Sequence, residues 1–96
     1  MNIIDQRTLT MVKGHGQAEI ERRQQRELSF DGYIGRKFLL NTEHPDHDVV
    51  IVNMMWESKD KLMAFKKSDI HREGHKNRKP NPNILEHKMT IFQVVE

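Results

Sequence analysis

His71 and His75 stand four residues apart in a segment without proline, a spacing that brings two imidazoles near one face of a helix. The same spacing occurs in zinc sites, but zinc takes three or four ligands. The chain has no cysteine, and no Asp, Glu or further His stands out as a third ligand, so zinc is a poor reading. Near neutral pH such imidazoles can instead act as a general base. His15, His44 and His47 sit beside turn residues, where solvated histidines are ordinary. Arg7 is the other residue that asks for an explanation. Period-two alternation places it with Ile3, Asp5, Leu9 and Met11 on one face of a strand. If that face looks at helices, a charge there sits at the rim of the core or lines a pocket. Asp5, solvent or an anionic ligand must then meet it, because a buried unpaired guanidinium is costly. The alternative is that Arg7 reaches the sheet edge and is solvated.

Lys66, Lys67, Arg72, Lys76, Arg78 and Lys79 form a dense run of cations. Such a run is either a solvated face or an anion site for carboxylates or phosphates. No aromatic residue is interleaved for base stacking, which argues against nucleic acid. Gly14-His15-Gly16 resembles the start of a phosphate-cradling motif but lacks its third glycine.

These residues must be positioned by a short series of elements. Gly14/Gly16, Asp31-Gly32, His44-Pro45-Asp46 and Lys79-Pro80-Asn81-Pro82 punctuate the chain. Between them, Ile3–Val12 reads as a strand and Gln17–Leu28 as a helix with a thin apolar stripe of Ala18, Ile20 and Leu28. Gly32–Glu43 and His47–Glu57 read as strands joined in a hairpin. Ser58 caps a short helix carrying Leu62, Met63 and Phe65, and Ser68 opens further turns through His75. Glu86–Val95 closes the chain as a strand. The order β-α-β-β-α-β predicts an α+β, ferredoxin-like fold, an antiparallel sheet with its helices on one face. The third strand is apolar on both sides, with Val49, Ile51 and Met55 opposite Val50, Val52, Met54 and Trp56. A sheet with one face in water should alternate. Something must cover the second face, and in a chain this small the expected cover is the same face of a second copy.

Composition sets the outer bounds. Ninety-six residues make one domain, residues 1–96, with 35% hydrophobic and 31% charged side chains. So lean a core is marginal at this size, which again favours association. A net charge of +2 is too small for a committed nucleic-acid binder. The longest apolar run, Val49–Trp56, is broken by Asn53 and far too short for a membrane span. Met1–Gln6 has no signal-peptide character, and a cytoplasmic location is expected.

Leu9-Thr10-Met11-Val12-Lys13-Gly14, then Phe30-Asp31-Gly32, Trp56-x-Ser58-Lys59, Lys67-Ser68-Asp69 and Gly74-His75-Lys76 follow one another along nearly the whole chain. In this order they resemble the iron-regulated haem-degrading monooxygenases of the antibiotic-biosynthesis-monooxygenase (ABM) superfamily. The resemblance implies a homodimer whose two sheets form an α+β barrel. It implies haem as both cofactor and substrate, with O2 and an external electron donor, served by a reductase. The helix histidine that ligates the haem iron in those enzymes falls on His75. Their haem-ruffling tryptophan falls on Phe65, their first-strand asparagine on Arg7, and an aromatic haem contact on Arg23. Met63, Phe65, Arg23 and His71 would surround the macrocycle, and Arg7 would face its distal side. Other ABM proteins oxidise quinol- or phenol-like small molecules without a cofactor. Arg7 would then stabilise substrate charge, and His71 or His75 would be the base. A non-catalytic dimeric module that binds haem or another ligand is the third reading.

Overall fold

The computed structural model describes residues 1–76 and 80–96, with the side chain of His75 outside the described residues. Arg78 and Lys79 of the cationic run also fall outside them. The expected element order is present, and the two helical pieces after Ser58 and Ser68 are separate helices. Strand β1 is Ile3–Val12, helix α1 Gly16–Gln24, β2 Tyr33–Asn41, β3 His47–Trp56, α2 Lys59–Lys66, α3 Asp69–Lys76 and β4 Ile84–Gln93. The sheet runs β2-β3-β1-β4, and every neighbouring pair is antiparallel, so β1 is an inner strand of a ferredoxin-like α+β fold.

The period-two pattern of β1 decides which face is covered. Ile3, Asp5, Leu9 and Met11 are buried under the helices, and Arg7 shares their side. The apolar side chains gather in two groups. Ile20 of α1 closes over Leu9, Met11, Val50 and Val52. Leu62 and Phe65 of α2 close over Ile3 and Trp56, with Phe30 and Tyr33 at the edge. Asp5 and Arg7 lie between the two groups along β1.

Helix α1 is shorter than its composition suggests, ending at Gln24 where the sequence predicts Leu28. From Glu21 to Glu27 it offers no apolar side chain to bury. The Arg36 side chain meets its last turns instead, donating to the carbonyl of Gln24 at 3.2 Å and to that of Arg26. A cation on the final carbonyls is a favourable end for a helix. The chain then leaves helical geometry and delivers Leu28 and Phe30 to the Trp56 group. The start of α1 is also tied from a distance. Asp48 of β3 accepts the amides of Gly14 and Gly16, each at 3.0 Å, and stands 3.4 Å from the Lys13 ammonium. Those bonds and the lysine hold its buried carboxyl below the usual range. A Cβ at Gly16 would lie 2.7 Å from Leu40 Cδ1 and 3.1 Å from Asp48 Cβ, so both side chains would have to give way to any larger residue there.

Ser58 caps α2 as expected, its hydroxyl accepting the Lys61 amide at 3.2 Å. Ser68 ends one helix and begins the next: its hydroxyl donates to the Phe65 carbonyl and accepts the His71 amide. Strand β4 begins two residues before the predicted Glu86, because a turn at Asn81 already brings Ile84 opposite Met11. The second sheet face carries Ile4, Ile51 and Met55 half-buried, with Ile34, Leu39 and Phe92 between 44% and 49% exposed. Among the described residues, no helix is long and apolar enough to cross a membrane.

Candidate functional site

The gap between the two apolar groups is a cavity of about 260 Å³. Its floor is the sheet, where Arg7 from β1, Val52 and Met54 from β3 and Phe38 from β2 meet. The register explains this grouping, since Arg7 pairs with Val52 and Phe38 pairs with Val52 from the other side, so all three side chains share one face. One wall is Phe65 of α2 with Ile70, His71 and Gly74 of α3. The facing wall is Arg23 in the last turn of α1 and the Arg26–Leu28 segment that follows it.

Aromatic contacts fix the α2–α3 wall. The Phe65 ring lies 5.2 Å from both Trp56 and Phe30, and the His71 ring meets it edge-on at 5.1 Å. These tilted and edge-on contacts are the favoured geometries for aromatic pairs. Arg36 lies 5.3 Å from the centre of the Phe38 ring, a cation–π contact at the cavity edge.

Among the described residues the lining is strongly cationic, with Arg7, Arg23, Arg26 and Arg36 against the carboxylate of Glu27. Two of these arginines are anchored from behind. Asp5, fully buried, stands 3.6 Å from Arg7, an ion-pair distance and longer than a hydrogen bond. Glu19, also buried, receives Arg23 Nε at 2.5 Å, Arg22 through two bonds at 2.7 and 3.0 Å, and Asn81 at 3.0 Å. Burial alone would raise the Glu19 pKa. The Arg22 and Arg23 bonds, the charge of Arg23 and the Asn81 bond outweigh it and hold the group at about 2.

Of the residues singled out from sequence, the cavity brings together Arg7, Arg23, Phe65 and His71. Arg7 faces the helices and is met by Asp5, which resolves the two orientations that strand parity left open. Met63 does not reach the cavity. It precedes Phe65 by two residues, an offset that turns it to another side of α2, where it packs on the Trp56 group. The His75 backbone continues α3 one residue past Gly74. Phe38, Met54, Arg26 and Arg36 were missed by sequence reasoning. Arg36 and Phe38 share a strand parity that could have placed them beside Val52 and Met54.

No family model matches the chain. A haem-degrading monooxygenase from Halalkalibacterium halodurans is 32% identical over 94 residues, spanning 96% of this chain and 81% of the relative. The chain belongs to the haem-degrading monooxygenase family. Another member, from Bacillus mycoides, is 27% identical over 95 residues, covering 96% of this chain and 89% of its own length. Among solved structures, a candidate antibiotic biosynthesis monooxygenase from Bacillus cereus superposes with a TM-score of 0.78 at 19% identity, over 99% of this chain and 94% of that one. MhuD from Mycobacterium tuberculosis, solved with two haems in its active site, gives 0.65 at 21% identity, over 97% and 96%. Both solved structures thus share this fold along almost their whole length.

Proposed function

We propose that this chain binds haem in the cavity between α1 and α3 and degrades it as a monooxygenase. The observation that carries the reading is the make-up of that cavity, an apolar floor and wall ringed by guanidinium groups, in a chain of the haem-degrading family. Haem is a flat apolar macrocycle with an acidic edge. Phe38, Val52, Met54 and Phe65 suit the ring, and Arg7 and Arg23 suit the acid. At about 260 Å³ the cavity is smaller than the roughly 300–1,000 Å³ usual for a drug-sized ligand. The cavity as it stands is therefore small for the whole macrocycle.

Once bound, the haem iron would supply the oxidation chemistry, with O2 and electrons from an external donor or reductase. His75 would hold the haem iron, Phe65 would pack on the macrocycle, and His71 would stand beside Phe65. Arg7 and Arg23 hold the ligand by charge. The working unit is proposed to be a homodimer, its outer sheet faces packed together as an α+β barrel around Leu39 and Phe92.

The small volume favours a second reading, cofactor-independent oxidation of a quinol- or phenol-like anion, with Arg7 stabilising its charge and His71 or His75 as base. A hemin titration separates the two. A shifted Soret band is expected in the wild type and not in His75→Ala, and no shift in the wild type refutes the haem reading. Ascorbate, with catalase present, should then bleach the band. A stable Soret would identify a haem-binding module without turnover.

A further inference from the structure

We propose that Arg7 and Arg23 form a carboxylate-reading subsite in the cavity, selecting ligands that carry an acid group over neutral ligands of the same shape. The inference deepens the haem reading, on which it rests only in naming the acid as a haem propionate; an aromatic acid would use the same chemistry.

The two arginines come from different elements, one from the sheet floor and one from the last turn of α1, and both line the cavity. Their side chains are only 14% and 11% exposed. Arg7 Nε and Arg23 Nη2 are buried without an acceptor among the described residues. A guanidinium presents five N–H donors in a fixed fork. Asp5 balances the Arg7 charge at 3.6 Å without taking a hydrogen bond, since neither Asp5 oxygen has one among the described residues. Glu19 occupies only Nε of Arg23. Each arginine is thus steered by a buried carboxylate and keeps a desolvated donor to spare. Arg36 differs, because its Nη2 is already spent on the carbonyls of Gln24 and Arg26. A planar two-oxygen acceptor is the group that meets such donors, through short charge-assisted bonds. A neutral ligand would strip water from the part of each guanidinium that is still exposed and offer no bond in return, which is how polar sites reject analogues.

The test compares hemin with its dimethyl ester, identical except that both acids are masked, by Soret titration. The wild type should prefer the free acid by at least about tenfold, the effect of one charge-assisted hydrogen bond. That preference should collapse in Arg23→Gln and in the double variant Asp5→Asn/Arg7→Gln, which removes both partners so that no buried carboxylate is stranded. Thermal melts report folding, and Arg23→Gln alone decides if the double variant does not fold. Equal binding of acid and ester, or a preference kept in the variants, overturns the subsite and leaves the haem reading standing. If neither porphyrin binds, the haem reading fails, and benzoate against benzamide is compared through Trp56 fluorescence. A benzoate preference lost in the variants upholds the subsite, and no preference overturns it.

Discussion

Replacing Glu19 with Gln removes the charge that ties α1 both to its own last turn and to the loop before β4. The carboxylate is buried and takes bonds from Arg22, Arg23 and Asn81, which hold its pKa at about 2 against an ordinary 4.5. That difference corresponds to at most about 3 kcal/mol of folding stability at pH 7. Arg22 is 42% exposed, so solvent screens part of the interaction, and a cost of about 1–2 kcal/mol is the reasonable expectation. The sign follows from the direction of the shift. A carboxyl with a depressed folded pKa stabilises above its unfolded value and loses that contribution as pH falls. The wild-type advantage over Glu19→Gln should be full above pH 4.5 and shrink towards pH 2. Urea denaturation of both proteins across this range is the assay, and at pH 7 the variant's midpoint should fall by roughly 1 M. Equal midpoints at pH 7, or parallel pH profiles, would refute the reasoning.

Gly16→Ala should destabilise the fold by about 1–3 kcal/mol in the same assay, because the new methyl meets Leu40 and Asp48; an unchanged midpoint would show that the hairpin yields freely. Leu39→Glu places a charge on the exposed apolar sheet face and should convert a dimer of about twice 11.4 kDa to a monomer by light scattering. A wild-type monomer, or a variant that stays dimeric, would rule out that interface. Asp5→Leu/Arg7→Met replaces the charged pair between the apolar groups and should leave stability equal or raise it by about 1–4 kcal/mol, while weakening hemin binding. A loss of stability on calorimetry would show instead that the pair holds the sheet together.

The elements were legible where local signals agreed with the tertiary outcome. Ser58 and Ser68 announced the helix starts, and the parity of β1 placed Asp5 and Arg7 on one side. The double-sided apolar pattern of β3 foretold a second sheet face rich in exposed hydrophobic residues. What was not legible depended on partners distant in sequence. The end of α1 is set by Arg36, and its start by Asp48, neither of which lies within the helix. Glu19 carries the helix-neighbour spacing to Arg22 and Arg23, a visible signal, but its further bond comes from Asn81, which arrives from beyond α3. The motif order along the chain pointed to the family, and the 32% identical relative establishes it. The site was only half visible, because Phe38, Met54 and Arg36 join it through strand pairing rather than through any motif.

The cavity follows from the way this small sheet is covered. Helix α1 packs on one end of β1 through Ile20, and α2 packs on the other through Leu62 and Phe65. An apolar residue at position 7 would have let the two groups merge into one core. Arginine cannot do this, since its charge demands either water or an anion, and Asp5 alone leaves donors unmet. The early end of α1 widens the same gap, because its last carbonyls are satisfied by Arg36 and the chain is free to turn away. Fold and binding capacity therefore share a cause. The residues that keep the core from closing are those that line the opening, and their cationic donors specify which chemistry can fill it.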